Sequence, residues 1–392
     1  MANTQPRLVP RANQNNSRPA PVYRPPSALN LQEDARLLEE EMFQNMLMRE
    51  RRRAERSRNS FVLMLLDAGA HAGTEGSNHL LSQVASVLLK STRETDLVGW
   101  YKDGVALGVI FTETTPELKG AICEILRSKV MCVLRRDIGR EVESRLVITV
   151  HMFPENQGGD GEPVADSRLY PDLTEENTRR SLPLFVKRLA DILVSAAILI
   201  LSSPFMIVIA LAVKLTSKGP VIFRQDRLGQ FGTQFKCLKF RTMYSDNDPK
   251  IHEEYCQRFI AGKADGEIAS GDPPVYKITN DHRVTRIGGF LRKTSLDEFP
   301  QFWNVLVGEM SLVGPRPPVP YEYAVYDVWH RRRVLEMKPG VTGLWQVSGR
   351  SRTSFNDMVR LDLRYSKSWS LWLDLKILAA TPRAVLGGEG AY

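Results

Sequence analysis

Cysteine is scarce: Cys123, Cys132, Cys237 and Cys256 are the four in 392 residues, and no two of them form a C-x-x-C pair. That spacing argues against a disulfide framework and fits a reducing compartment. The six histidines form no ligand-like cluster, so no zinc site is expected. The first thirty residues lack an apolar run and are rich in Pro, Asn and Arg. No secretory leader is expected there, and residues 1–30 read as a disordered tail.

Acidic residues are outnumbered, 45 against 53 Lys and Arg, leaving a formal charge of +8. Such a balance suits anionic partners without choosing among nucleic acid, acidic lipid and polyphosphate. The length suits two domains.

Residues 31–58 are charged and free of Gly and Pro, with Leu38, Met42, Met46 and Leu47 near helical spacing, which predicts a helix. Its arginines, Arg49 to Arg58, suit either a solvated face or contact with anionic lipid. Over 59–153 the order is strand, helix, hairpin, helix, strand, with FVLMLLDA opening it and SRLVITVHMF closing it. This predicts an α+β layer with helices on one face of an antiparallel sheet. The stretch from Ser86 to Thr115 resembles the centre of a GGDEF (diguanylate cyclase) domain, its signature hairpin reading Lys102-Asp103-Gly104-Val105-Ala106. The paired glycines and acidic residue of that signature are missing, so the resemblance implies a degenerate regulatory or structural domain. Arg93 and Asp96 match the R-x-x-D pattern by which such domains bind cyclic di-GMP. An Arg and an Asp closing a helix before a strand explain the same pattern.

Residues 154–182 carry Gly, Pro and acidic residues without periodicity and read as a linker. From Ile192 to Val213 there are 22 residues without charge, enough to cross a hydrocarbon core that needs roughly 20 helical residues. Ser203-Pro204 breaks the middle, and basic residues flank both ends. Proline removes a backbone donor and bends a helix, and the positive-inside tendency puts both flanks in the cytoplasm. A re-entrant hairpin over 183–216 is therefore expected, the alternative being a kinked spanning helix. Asp191 is expected to pair with Lys187 or Arg188 near the headgroups.

Beyond the hairpin, over 217–392, arginines recur beside glycines and turns: Arg224, Arg227, Arg241, Arg283, Arg292, Arg316 and Arg350. Arg is suited to bidentate phosphate contacts. Asp297-Glu298 lies in this basic surround. Ser295 to Glu298 reads as a capping box. If instead Pro300 opens the helix, both carboxylates precede it and are freer to react. The residues by themselves leave both readings open.

Ordered motifs then bring a second resemblance. Ser203-Pro204, Lys239 to Met243 (KFRTM), Ser295 to Leu306 (SLDEFPQFWNVL), Met310 to Pro317 (MSLVGPRP) and Gly343 to Arg350 (GLWQVSGR) are similar to the motifs of the bacterial sugar transferases. Those are small monotopic phosphoglycosyl transferases that act on undecaprenyl phosphate. The resemblance implies that Asp297 is the nucleophile and that Glu298 partners a divalent ion, Mg²⁺, at the Asp297-Glu298 dyad. It implies phosphate binding by Arg292 and Arg316, with Arg283, Arg350, Lys239 and Arg241 as further candidates. It also implies a UDP-sugar donor, release of UMP, and a place at the cytoplasmic face of a bacterial inner membrane in exopolysaccharide or other surface glycan synthesis.

The fold class expected is α+β: a GGDEF-like α/β sandwich, then a monotopic membrane domain with a re-entrant helical hairpin and a small, mostly helical catalytic core. Tyr244 to Val275 departs from the family spacing as a polar insertion. The tail from Tyr365 to Leu386 reads as an interfacial helix, with a core helix as the alternative. A membrane-attached nucleotide-sensing protein without catalysis is the rival function, and it leaves Asp297-Glu298 unexplained. A nucleic-acid binder fits poorly with the apolar run. A homodimer is compatible with the N-terminal helix and sandwich, and the sugar stays open.

Overall fold

The computed structural model describes residues 36–57, 59–69, 75–114, 121–155, 166–173, 180–244, 250–262, 283–349 and 353–386. The N-terminal part runs β1 (Leu37–Leu38), α1 (Glu40–Ser57), β2 (Ser60–Asp67), α2 (Glu75–Ser91), β3 (Leu97–Lys102), β4 (Ala106–Thr114), α3 (Ala121–Asp137), α4 (Val142–Arg145) and β5 (Val147–Phe153). Its sheet has the order β1-β3-β4-β2-β5, antiparallel except where β1 lies beside β3.

Side chains alternate across a strand. Val62, Met64 and Leu66 of β2 join α2 and α3 in one core. Phe61, Leu63 and Leu65 point the other way, into a core shared with Phe43, Leu47 and Ala54 of α1. The expectation of helices on a single face is thus corrected, because β2 is apolar from Phe61 to Leu66, on both of its faces, and needs cover on both sides. The buried stripe of α1 is Phe43, Leu47, Arg51 and Ala54, while Met42 is exposed. Gly108 makes room for this packing, since a Cβ there would lie 2.4 Å from the Phe43 ring. Arg51 faces protein, pairing with Asp172 and lying 4.5 Å above the Tyr170 ring. Within the stretch read as a linker, Leu169 and Tyr170 are buried in the α1-facing core.

The second part runs α5 (Ser181–Thr216), β6 (Ile222–Leu228), β7 (Gln234–Phe240), α6 (Lys250–Ile260), α7 (Arg286–Thr294), α8 (Gln301–Val307), β8 (Ser311–Val313), α9 (Pro320–Ala324), α10 (Val328–Glu336), β9 (Gly340–Thr342), α11 (Leu344–Ser348), α12 (Phe355–Lys367) and α13 (Leu371–Leu386). β6 and β7 form an antiparallel ribbon and β8 and β9 a short parallel pair. Leu335 of α10 is buried among the α1-facing residues, and Arg332 lies 4.0 Å from Glu55 of α1, so the two parts share one seam.

α5 is assigned as one helix of 36 residues with Pro204 inside it, long and apolar enough to cross a membrane by length and composition. Its first half is fastened to protein. Lys187 donates to Asp374 at 2.6 Å and to the Val313 carbonyl at 3.1 Å, and Arg188 donates to the carbonyls of Val305 and Leu306 at 2.6 and 2.8 Å. Asp191 accepts the Leu312 amide at 3.1 Å. Its expected pairing with Lys187 or Arg188 is corrected, because those cations are used on other partners. Ile209 and Val213 pack with Phe240 and Leu291. Between the fastened ends Ile200 and Leu201 are 70% and 81% exposed. In α13 one face, including Ile377, joins the core with Trp369, while Trp372 and Leu375 are exposed, so the tail helix has both characters read from its sequence.

Candidate active site

Asp297 and Glu298 sit in a 3-10 turn, Leu296–Glu298, between α7 and α8. Pro300 directly precedes α8, and Ser295 makes no side-chain cap. The capping-box reading is therefore corrected: proline cannot continue the intrahelical bonding, so the carboxylates precede the helix. Ser295 ends α7 with φ 56°, a left-handed conformation that a non-glycine residue adopts at some cost. That reversal precedes the turn from which Glu298 meets Lys239 of β7.

Two contacts fix the frame. Asn304 of α8 accepts the Leu238 amide at 3.0 Å and donates to the Lys236 carbonyl at 2.8 Å, holding β7 against the turn. Gly288 lets α7 approach the other side, because a Cβ there would lie 2.0 Å from the Thr242 carbonyl oxygen. Lys239, at the end of β7, then donates to Glu298 Oε1 at 2.8 Å.

The two acids differ in surroundings. Asp297 is 8% exposed, and burial raises its carboxyl to about 6, against the opposing pull of Lys239 and with a further push from Glu298. Burial also acts to raise Glu298, but Lys239, by charge and hydrogen bond, together with Arg316 and Arg227, outweighs it and holds Glu298 below the usual carboxylate range. Arg292 is among the charges felt by Asp297 and Arg316 among those felt by Glu298.

Arg283, Arg292 and Arg316 line one cleft of about 270 Å³, together with Arg333 of α10, which the sequence did not single out. Arg333 is buried, 2.7 Å from Asp362, and donates to the Arg316 carbonyl at 3.0 Å. Arg292 Nε donates to Thr242 at 2.9 Å. Arg241 lies elsewhere and is corrected as a phosphate ligand. Its guanidinium donates to the carbonyls of Pro220, Val213 and Ser217, tying the end of α5 to β7. Arg227 is likewise used on Pro317 O, at 2.6 Å. Arg350 lies outside the described residues. In the N-terminal part the Arg93 amide donates to Asp96 at 3.1 Å, closing the turn before β3.

A family model, described as bacterial sugar transferase, matches residues 182–388. One relative is the undecaprenyl-phosphate galactose phosphotransferase of Salmonella typhimurium, 43% identical over 221 residues, which are 56% of this chain and 44% of that protein. Another is the exopolysaccharide production protein ExoY of Rhizobium meliloti, 39% identical over 227 residues, 57% of this chain and 96% of that protein. The matches cover between 36% and 42% of the length of several other curated relatives. Among solved structures, a DGC protein from Thermotoga maritima is 14% identical, with a TM-score of 0.24 over 31% of this chain and 86% of that one, and a score that low carries no argument. With the match covering more than half of its length, this chain belongs to the bacterial sugar transferase family.

Proposed function

We propose that this protein moves a sugar 1-phosphate from a UDP-sugar to undecaprenyl phosphate at a membrane surface, releasing UMP, with Asp297 as nucleophile. The observation that carries the reading is a buried carboxylate and a Lys239-paired partner that feel the charges of Arg292 and Arg316, two of the four arginines lining one cleft. A carboxylate oxygen of Asp297 attacks the sugar-bearing phosphorus, and the bond to the bridging oxygen breaks toward UMP. An oxygen of the carrier phosphate then attacks the same phosphorus and returns the carboxylate. Two anions that repel each other thus never meet directly, and one pyrophosphate linkage replaces another. Arg292 and Arg316, which line that cleft, would offset charge on the diphosphate.

The donor set fits Mg²⁺, which binds through one or two carboxylates plus substrate phosphates and water. Asp297 and Glu298 would hold it, and no group of three His, Cys, Asp or Glu occurs among the described residues. When bound, the ion supplies charge neutralisation for the leaving nucleotide.

The membrane reading rests on α5. A straight helix rises about 1.5 Å per residue, so its 36 residues would span about 54 Å. Yet Arg188 fastens to α8, and Ile209 and Val213 pack where Leu296 and Phe299 also lie, just before α8. Both limbs thus meet the same short stretch of chain, which favours a bend at Pro204. Ser203 Oγ donates back to the Ile200 carbonyl at 2.8 Å, a contact that bends helices. The exposed apolar apex then dips into one leaflet and returns, leaving the dyad at the cytoplasmic face.

Sustained UMP release from a UDP-sugar only when polyprenyl phosphate is supplied, with labelled UMP exchanging into donor in its absence, is the expected result. A protein that exchanges no UMP without acceptor would overturn the covalent step. Because Asp297 must be ionised to attack, kcat/KM should rise with pH through an acid limb near 6. A limb near 4, read from the pH profile, would contradict the buried nucleophile. Arg316→Ala should lower kcat/KM about tenfold or more, whereas Arg241→Ala should lower the melting temperature while kcat changes little.

A further inference from the structure

We propose that α6, within the polar insertion, is the nucleobase-binding wall of the donor cleft, with Phe259 and Phe355 framing the planar ring; the proposal rests on the UDP-sugar reading above. The cleft has two chemistries. Arginines supply part of its lining, and α6 and α12 contribute Tyr255, Phe259, Ile260, Phe355 and Met358. A nucleoside diphosphate divides in the same way, into a charged chain and a flat ring. A flat base can lie against the Phe259 and Phe355 rings, with His252, Tyr255 and Cys256 of the same helix as polar neighbours in the lining.

The rings are arranged for a flat guest. Phe259 and Phe355 meet edge to face, with centroids 5.8 Å apart and planes at 78°, which makes a corner. Tyr255 lies parallel to Phe259 at 6.4 Å, its ring one helical turn earlier. Residues four apart share a helix face, so α6 presents an aromatic stripe to the cleft. Two further cleft residues of α6 are held in place: His252 bonds the Tyr321 hydroxyl at 2.7 Å, and the Cys256 thiol donates at 3.5 Å to Glu322, itself part of the lining. Burial pulls His252 down to about 4. At working pH it is neutral, and charge recognition is left to the arginines.

The test is calorimetric binding to the full chain in detergent of two probes, UMP and ribose 5-phosphate, which carries the phosphate without the base. Stacking on an aromatic ring is worth enough that Phe259→Ala should weaken UMP binding about tenfold and leave ribose 5-phosphate unchanged. Phe259→Leu keeps most of the volume without the ring and should behave alike, and Phe259→Trp should restore UMP binding. Unchanged UMP affinity in the leucine variant, or equal loss of both probes, would overturn the proposal. Binding is read separately from turnover. A parent protein that binds UMP with this ring dependence but releases none from UDP-sugars would sink the proposed function and leave the base wall standing. A parent that turns over while the leucine variant binds UMP normally would sink the base wall alone.

Discussion

Asp297→Asn should abolish sustained UMP release, a loss of about 10⁴-fold or more, as for removal of other covalent nucleophiles. A carboxamide keeps the shape of the side chain but has no anionic oxygen to give to phosphorus. Stability should move the other way. Burial raises the folded-state pKa of Asp297, so its favourable share of stability is complete below the ordinary carboxylate range and is lost as pH rises through about 6. Above that pH the ionised group opposes folding, and asparagine removes the opposition. The variant should therefore melt at the parent's temperature or higher at neutral pH, with the difference shrinking as pH falls below 5. Nucleotide release and thermal unfolding, measured together, decide the point. Turnover at the parent's rate would end the case for this nucleophile.

Asp374→Ala should cost about 3–5 kcal/mol, the usual result of leaving a buried charge without its partner. Asp374 accepts from Lys187 at 2.6 Å, from the Tyr365 hydroxyl at 2.6 Å and from Trp369 Nε1 at 3.2 Å, all in buried surroundings. The ammonium would keep its bond to the Val313 carbonyl and lose the opposite charge. Because Lys187 lies on α5 and Asp374 on α13, the loss also loosens α5 from the core. Replacing both, Lys187→Met with Asp374→Leu, removes the charges together and should recover a large part of the stability. Chemical denaturation in detergent reads the cycle. Equal damage from the single and double variants would show that packing, and not the ion pair, holds this joint.

The chemistry-bearing stretch was legible because it is local. Asp297, Glu298 and Pro300 are sequence neighbours, and proline's missing donor fixes where α8 starts. Lys239 and Arg241 show the limit of such reading. They are two residues apart, Lys239 near the end of β7 and Arg241 just past it, so a continued pleat would start their side chains on the same side of the ribbon. One ends on Glu298 and the other among carbonyls at the end of α5. Which cation faces which acceptor depends on what packs at each end of β7, and no periodicity records that. Arg333 was missed for the same reason. It lies in the run Arg331-Arg332-Arg333, where the turn of α10 directs Arg332 toward Glu55 and Arg333 into the arginine-lined cleft.

By itself the sequence determined the strand, helix, hairpin, helix, strand order of the N-terminal part, the apolar segment that carries Ser203-Pro204, and the acid pair set before a proline. Each of these rests on periodicity, proline geometry or charge within a few residues. The tertiary structure decided that α1 covers the second face of the sheet, that α6 lines the cleft, and which arginines line it. Those outcomes depend on contacts between residues tens to hundreds of positions apart, where burial and available partners, and not local preference, set the direction of each side chain.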